Sequence, residues 1–378
     1  MIGHIKSALA VKKATGKGIA SQLQEIVRLR MAPMKLGAYE YYFYRVFDDE
    51  GLDPQGKQEF VGWRMEKAID RQLNEDSWRA VANDKLLCYT TFKGLGIPYP
   101  PVKAVYHQQN RFCGDIPVIA DAAGAGEFLR NRSNYPFFVK PVHGTYGRGT
   151  FAADDWDEAD DTIVCGDGKR LKVEEVIRQL AEPWAEGYLF QTLLRPHPRI
   201  EALCGPSASS VRIVVLLTDA GPQVFRAIWK IPVGGNPCDN FSHGQSGNLL
   251  GWVDPETGQA NTIIKDVALN LTTVSHHPDT NENLVGVTLP DWEQAKQIAL
   301  QGATAFPGLK LQHWDVALTD QGPQVLEINV EGSFDLHQLA GKRGFYDARL
   351  RQVLEGGPTA SPVQSRQHPS SDLRLNDA

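Results

Sequence analysis

The segment Trp314-Asp315-Val316-Ala317-Leu318, a turn at Asp320-Gln321-Gly322, and Val325-Leu326-Glu327-Ile328-Asn329 constrains this chain more than any other. Two apolar runs joined by a short polar turn read as a β-hairpin. Pairing centred near Gln321 sets Asp315 opposite Glu327, with Asn329 two residues further along the same face. Carboxylates facing each other among Val, Ile, Leu and Trp repel, and a cation between them relieves the repulsion. The all-oxygen set Asp315, Glu327 and Asn329 therefore predicts a Mg2+ site shared with substrate phosphates, in preference to a solvent-facing polar stripe.

A second hairpin follows from residues 211–217, a turn at Asp219-Ala220-Gly221-Pro222, and residues 224–230. Centred near Gly221, it faces Arg212 to Lys230, which is unfavourable unless an anion lies between them. This makes a candidate phosphate clamp. The alternative is two long side chains splaying into solvent.

Phe137-Phe138-Val139-Lys140-Pro141, then Gly144, Gly147 and Gly149, then Phe151-Ala152-Ala153 read as strand, glycine loop, strand. A Walker loop or a dinucleotide fingerprint would lead into a helix, so neither fits. A glycine flap between strands folds over phosphates while Lys140 supplies a point charge; a plain hairpin connection is the other reading. The polar loop at residues 239–248 shapes a site or is a long turn. His243 has no nearby Cys or second His, and His276-His277 is followed by Pro278, so neither is read as a metal ligand. Neither a Gly-x-Ser-x-Gly elbow nor an HExxH motif is present.

Composition narrows the rest. The 378 residues carry 39 basic and 45 acidic side chains, a charge of −6 that argues against a nucleic-acid binder relying on overall basic charge. Residues 1–39 nevertheless hold seven lysines and arginines against Glu25 alone, so the arm is basic and the body acidic. Cys88, Cys113, Cys165, Cys204 and Cys238 form no CxxC pair, which disfavours a zinc ribbon or a disulfide framework. No apolar run approaches the ~20 residues of a membrane span, and the start lacks a signal-peptide pattern, so a cytoplasmic protein is expected.

Ile19, Leu23, Ile26 and Leu29 suggest an amphipathic helix that docks on the body, on a partner or on an anionic membrane surface. The run Tyr41-Tyr42-Phe43-Tyr44 reads as a packing anchor, and residues 63–79 as a helix. From Asn83 onward a helix at 85–95, a turn at 96–101 and a strand at 102–106 open an alternation of short elements reaching about residue 350. That is an α+β or α/β layout, not a bundle or sandwich. No repeat of fixed period is evident, and residues 356–378 read as a disordered tail.

Together these features resemble the ATP-grasp superfamily, in its glutamate-ligase-like and sugar-transfer-associated branch, over residues 83–346. Asn83-Asp84-Lys85 followed by Gly96-Ile97-Pro98 is similar to the family's entry to the nucleotide site, where a lysine contacts phosphate. Val139-Lys140-Pro141 with Gly144, Thr145, Gly147 and Gly149 resembles its second phosphate lysine and mobile flap. Tyr188-Leu189-Phe190-Gln191-Thr192-Leu193-Leu194 resembles the hinge strand whose backbone reads adenine, with Thr192 where many members carry glutamate. Ser210-Val211-Arg212 resembles the arginine strand, Lys230 stands where arginine is common, and Asp239-Asn240 with Gly244 and Gly247 is similar to the asparagine and glycine loop. Asp315, Glu327 and Asn329 match the metal triad in order and spacing.

The resemblance implies an α+β ATP-grasp fold of two lobes with the nucleotide in the cleft. A helical region would occupy residues 1–80 and the ATP-grasp domain residues 81–355, with a lid lobe at about 135–190 and a metal-binding lobe at about 191–355. It implies a carboxylate–amine ligase working through an acyl phosphate with ATP and Mg2+, Mn2+ being able to substitute. Lys85, Lys140, Gln191, Thr192, Leu193 and Asn240 would bind nucleotide, and Arg212 and Lys230 would stabilise the migrating phosphoryl group. The substrates would be a small carboxylate and an amine or saccharide, as in modification of a saccharide or cell-envelope precursor, with no nucleic acid. A phosphotransferase and an ATP-binding scaffold for a glycosyltransferase or polysaccharide system are the alternatives. Peripheral membrane or partner contact through residues 1–39 is left open.

Overall fold

Short strands pair into two seven-stranded sheets in the computed structural model, which describes residues 2–144 and 147–356. Thr145 and the tail at 357–378 lie outside the described residues. The first sheet contains β1 (Val102–Tyr106), β2 (Val118–Ile119), β3 (Phe137–Pro141), β4 (Phe151–Asp157), β5 (Thr162–Cys165), β6 (Arg170–Lys172) and β7 (Tyr188–Thr192). Their order is β2-β1-β7-β3-β4-β5-β6, with only β1 and β2 parallel. Phe137, Val139, Ile163 and Phe190 pack on the helices Ala122–Leu129 and Val173–Leu180 through Ala125, Leu129, Val176 and Leu180. Each residue type sits where strand or helix periodicity turns it inward.

The second sheet contains β8 (Ser210–Thr218), β9 (Gly221–Ile231), β10 (Leu249–Val253), β11 (Ala260–Lys265), β12 (Thr272–Val274), β13 (Leu311–Thr319) and β14 (Gly322–Asn329). It runs β12-β11-β10-β9-β8-β13-β14, antiparallel throughout. Val211, Ile213, Val215, Trp229 and Trp314 turn to one face, under the helix Trp292–Ala303. A Cβ on Gly302 would stand 2.5 Å from the Trp314 ring, so glycine is what lets that helix approach. The alternate residues Val214, Leu216 and Leu311 turn to the other face with Phe334 and Phe345. Arg212, His313 and Asp315 share that face by the same two-residue period.

The hairpins β8–β9 and β13–β14 are built alike, since Thr218–Val224 and Thr319–Val325 both read Thr-Asp-x-Gly-Pro-Gln-Val. Each closes on a two-residue turn, Thr218 against Gly221 and Thr319 against Gly322, with threonine Oγ1 donating to the glycine carbonyl at 2.8 and 2.6 Å. Each ladder then slips by one residue, leaving Phe225 and Leu326 as bulges. Asp315 consequently faces Glu327, as expected. Arg212 does not face Lys230: it pairs with Ile228, and Lys230 pairs with Ser210. The turn is centred between Asp219 and Ala220, not at Gly221, and the bulge recovers only part of the difference. The two cations become diagonal neighbours on one face.

The predicted helix at 63–79 also divides. It ends at Leu73 because Asn74 bridges Leu309, its side chain bonding the Leu311 carbonyl and N–H at 2.9 and 3.0 Å. In the arm, the helices Ile2–Thr15 and Ile19–Met31 dock on the body through Ala8, Val11 and Leu29 beside Tyr41, Tyr42, Phe43 and Tyr44. The inward face of the second helix is Ile19, Gln22, Ile26 and Leu29; Leu23, one residue or about 100° of rotation past Gln22, is 56% exposed. Buried Gln22 is satisfied by the Ala8 and Lys17 carbonyls and by Tyr42 Oη, at 3.2, 2.9 and 3.1 Å. Among the described residues no helix is long and apolar enough to cross a membrane.

Candidate active site

A cavity of about 780 Å³ opens between the sheets, lined from the first by Lys85, Lys140, the glycine loop and residues 191–194, and from the second by Arg212, Lys230, Asp315, Glu327 and Asn329. Its floor is a row of side chains across three strands. Arg212 on β8 pairs with Asp315 on β13, which pairs with Glu327 on β14. Arg212 Nε and Nη2 donate to Asp315 Oδ1 and Oδ2, both at 2.7 Å, and Lys230 Nζ reaches Oδ2 at 3.2 Å. The anion between the two cations is therefore Asp315 itself. Burial alone would favour its neutral form, but Arg212 and Lys230 outweigh burial and hold the carboxyl below its usual range.

Lys230 is fixed from the opposite side by Asp239, 3.3 Å away, whose other oxygen accepts from Ser210 N–H and Oγ–H at 2.8 and 2.5 Å. Burial would discharge Lys230, but Asp239 and Asp315 raise its pKa. Glu327 is less committed: its side chain is 28% exposed, with Lys85 Nζ at 3.8 Å and Asn329 Nδ2 at 3.2 Å.

The two lysines of the first lobe approach from above. Asp84 caps the helix Lys85–Leu95 through the N–H groups of Leu86 and Leu87, both at 2.9 Å, which sets Lys85 in its first turn. Lys85 Nζ donates to the Gly144 carbonyl at 2.8 Å, and Lys140 Nζ to the Leu326 carbonyl at 3.1 Å. Burial pushes the Lys140 ammonium down to about 8, against the pull of Glu327. Gly147, at φ +72°, packs so closely that a Cβ would lie 3.0 Å from Asn240 Nδ2 and 3.1 Å from Cys238 Sγ. The glycine loop thus spans from the first sheet to the 233–248 loop of the second lobe.

At the hinge, Gln191 is buried with Nε2 on the Pro100 carbonyl at 3.1 Å, and Thr192 N–H bonds the Pro101 carbonyl at 2.9 Å. Leu193 follows the end of β7 and lines the cavity outside the ladder. Sequence reasoning passed over Asn248, which organises the loop: its Nδ2 donates to the Cys238 and Asn240 carbonyls, both at 2.9 Å, and its Oδ1 accepts from Val233 N–H at 3.0 Å. It also passed over Asp335, 92 residues from its partner His243 and invisible to any local pattern. All five cysteines are free. Cys238 faces the cavity, but burial and Asp239 push its thiol up to about 11, unsuited to nucleophilic work at neutral pH.

The donor set suits a hard divalent cation. Asp315 and Glu327 are opposed in register, Asn329 adds an amide oxygen when its side chain is turned about, and all three line the cavity. Among the described residues no group of three His, Cys, Asp or Glu side chains is placed to hold a metal, and the two Asp315 oxygens already accept from Arg212 and Lys230, which leaves Glu327 and the Asn329 amide as the less committed donors.

A family model for sugar-transfer associated ATP-grasp proteins matches residues 64–354. No curated protein sequence matches the chain. Among solved structures, biotin carboxylase from Campylobacter jejuni aligns at TM-score 0.43 and 11% identity, over 75% of this chain and 48% of that one. N5-carboxyaminoimidazole synthase from Aspergillus clavatus aligns at 0.41 and 12%, over 81% and 60%, and D-alanyl-alanine synthetase A from Vibrio cholerae at 0.41 and 15%, over 74% and 66%. The chain spans about half the length of the biotin carboxylase. With two α+β lobes and a helical amino-terminal region around this cleft, the chain belongs to the sugar-transfer-associated ATP-grasp family.

Proposed function

We propose that the protein is an ATP-dependent ligase that activates a carboxylate as its acyl phosphate and passes the acyl group to an amine or a related nucleophile, with a saccharide or cell-envelope precursor as the molecule modified. The observation that carries this reading is the convergence of Arg212, Lys230, Lys85 and Lys140 with Asp315 and Glu327 on one cavity. Phosphoryl transfer asks for positioning and charge neutralisation more than covalent chemistry from protein. Lys85 and Lys140 hold the nucleotide phosphates, Leu193 and its neighbours present backbone to adenine, and Arg212 and Lys230 face the migrating phosphoryl group. Asp315, Glu327 and Asn329 would hold Mg2+, which when bound neutralises phosphate oxygens. The flap excludes water from the acyl phosphate.

The test is a screen of amino acids, amino sugars and uronic acids with Mg-ATP and hydroxylamine. An acyl hydroxamate with matching ADP release is expected for at least one carboxylate. ADP with a stable phosphorylated product and no hydroxamate would replace the ligase with a phosphotransferase.

The arm supports an additional reading. Ile5, Leu9, Leu23, Val27 and Met31 are all exposed on the two helices, with Lys6, Lys12, Lys13, Arg28 and Arg30 interspersed. Apolar side chains among cations with no exposed acid complement an anionic bilayer surface. We assign the arm to peripheral membrane contact, which would bring the ligase to a lipid-linked acceptor.

A further inference from the structure

A histidine on the cavity wall, which the steps above do not use, is paired with a buried carboxylate behind it. His243 Nε2 lies 2.7 Å from Asp335 Oδ2. Asp335 is buried in the first turn of the helix Phe334–Gly341, and its Oδ1 accepts from the Leu336 N–H at 2.9 Å. The imidazole packs edge-on against Phe43, ring centres 5.3 Å apart, yet stays 46% exposed. With Nε2 committed, Nδ1 carries no hydrogen bond among the described residues. His243 itself lines the cavity that Lys230 and Glu327 line.

The backbone around it is held in an uncommon shape. Ser242 and His243 have φ of +47° and +53°, a left-handed region that residues with a Cβ seldom adopt. Gly244 continues at +83°, where a Cβ would lie 2.8 Å from Asp266 Cα. Such conformations persist where surrounding contacts over-determine them, and they cluster at sites of function. The product of this strain is an imidazole clamped at one nitrogen and open at the other, on the wall of the cavity that the Arg212–Asp315–Glu327 row also lines.

The geometry points to His243 as the base that accepts the proton of the incoming nucleophile, with Asp335 as the positioning residue that fixes its tautomer. This rests on the ligase reading. The nucleophile's lone pair forms the bond to the acyl carbon, the C–O bond to the phosphoryl group breaks, and phosphate leaves with that electron pair. The N–H proton passes to His243 Nδ1 and from there to solvent. Arg212 and Lys230 do not do this: Asp315, with Asp239 at Lys230, holds both charged, and neither has a free lone pair.

The neighbouring charges support the assignment. The bond to Asp335 raises the His243 pKa against the effect of burial. Glu66, whose Oε1 accepts from Phe334 N–H at 3.3 Å, is pushed up to about 8 by burial and by Asp335. Burial and Asp335 likewise raise Tyr44, so it adds no charge. Asp266 packs on Gly244 from the far side of the loop. Asp335 is therefore the carboxylate that meets the imidazole.

Full-length wild type, His243→Gln and Asp335→Asn are compared with Mg-ATP and the carboxylate panel, using two kinds of acceptor. Hydroxylamine is neutral at pH 7 and, as an α-effect nucleophile, attacks an acyl phosphate without help from a base, whereas ethanolamine, glycine and glucosamine are largely ammonium ions that must also lose a proton to free the attacking lone pair. Unchanged ATP affinity in the variants reports an intact cavity. His243→Gln, which can still hold Asp335, is expected to keep hydroxamate formation within about threefold and to lose amide formation by about 100-fold. Asp335→Asn lowers the histidine pKa, so the acid limb of its amide-forming pH profile moves to lower pH. Equal loss of both products in His243→Gln, or no loss of either, would overturn the base. Absence of hydroxamate in the wild type would instead overturn the ligase reading, and this inference with it.

Discussion

Arg212 grips Asp315 through two parallel hydrogen bonds of 2.7 Å, guanidinium edge to carboxylate edge. This bidentate pair is buried, shares Lys230, and sits one strand from Glu327, which has no comparable partner among the described residues. Two carboxylates that look equivalent in the sequence thus have different jobs. Asp315 orders the protein's own cations, and Glu327 is the one open to the cavity.

Glu327→Gln is expected to abolish Mg2+-dependent ATP turnover while changing stability by less than about 1 kcal/mol, because its side chain is partly exposed and weakly paired. Asp315→Asn also abolishes turnover, but it leaves two buried cations short of their counter-charge and destabilises by roughly 3–5 kcal/mol. Phosphate release and urea unfolding measure the two effects. Equal melting of both variants would refute the division of roles, and retained turnover in Glu327→Gln would refute the metal site.

Lys140 must be protonated to attract phosphate, and burial brings its pKa down to about 8. Affinity for the non-hydrolysable β,γ-imido analogue of ATP should be flat below that pH and fall about tenfold per unit above it. Lys140→Arg, charged throughout, should lack this limb. Calorimetric titration across the range checks the point; an identical limb in the arginine variant would assign the dependence to another group.

The arm is expected to bring the protein down with phosphatidylglycerol vesicles at low salt and not with phosphatidylcholine vesicles. Val27→Glu with Met31→Glu should abolish co-sedimentation without lowering Tm, since these side chains are 61% and 82% exposed. Unimpaired vesicle binding by that double variant would dismiss the helical face as the contact.

The local features of the site were legible. The apolar runs and the polar turn are enough to suggest the β13–β14 hairpin, whose two-residue turn needs the bulge at Leu326 to bring Asp315 opposite Glu327, and the glycines between two apolar strands are enough to suggest the flap. What failed had one local cause and two non-local ones. A turn centred between Asp219 and Ala220, not at Gly221, moved Lys230 off Arg212, and the β9 bulge at Phe225 recovered only part of the difference; the same motif in Thr218–Val224 and Thr319–Val325 held this in the sequence. Leu23 lost its place to Gln22 because Ala8, Lys17 and Tyr42 offer hydrogen bonds that no helical wheel displays. His243 looked idle because Asp335 comes to it only when the helix Phe334–Gly341 packs beside the loop.

The Gly144 carbonyl is held by the Lys85 ammonium, and the Leu326 carbonyl by that of Lys140. Each cation already has a ligand from the chain itself, and an arriving phosphate oxygen competes for the same protons. Gly144 belongs to the cover of the cavity and Leu326 to its floor. Under the ligase reading, a phosphate oxygen that draws either ammonium group competes with a contact that holds the glycine loop or the β14 backbone in place.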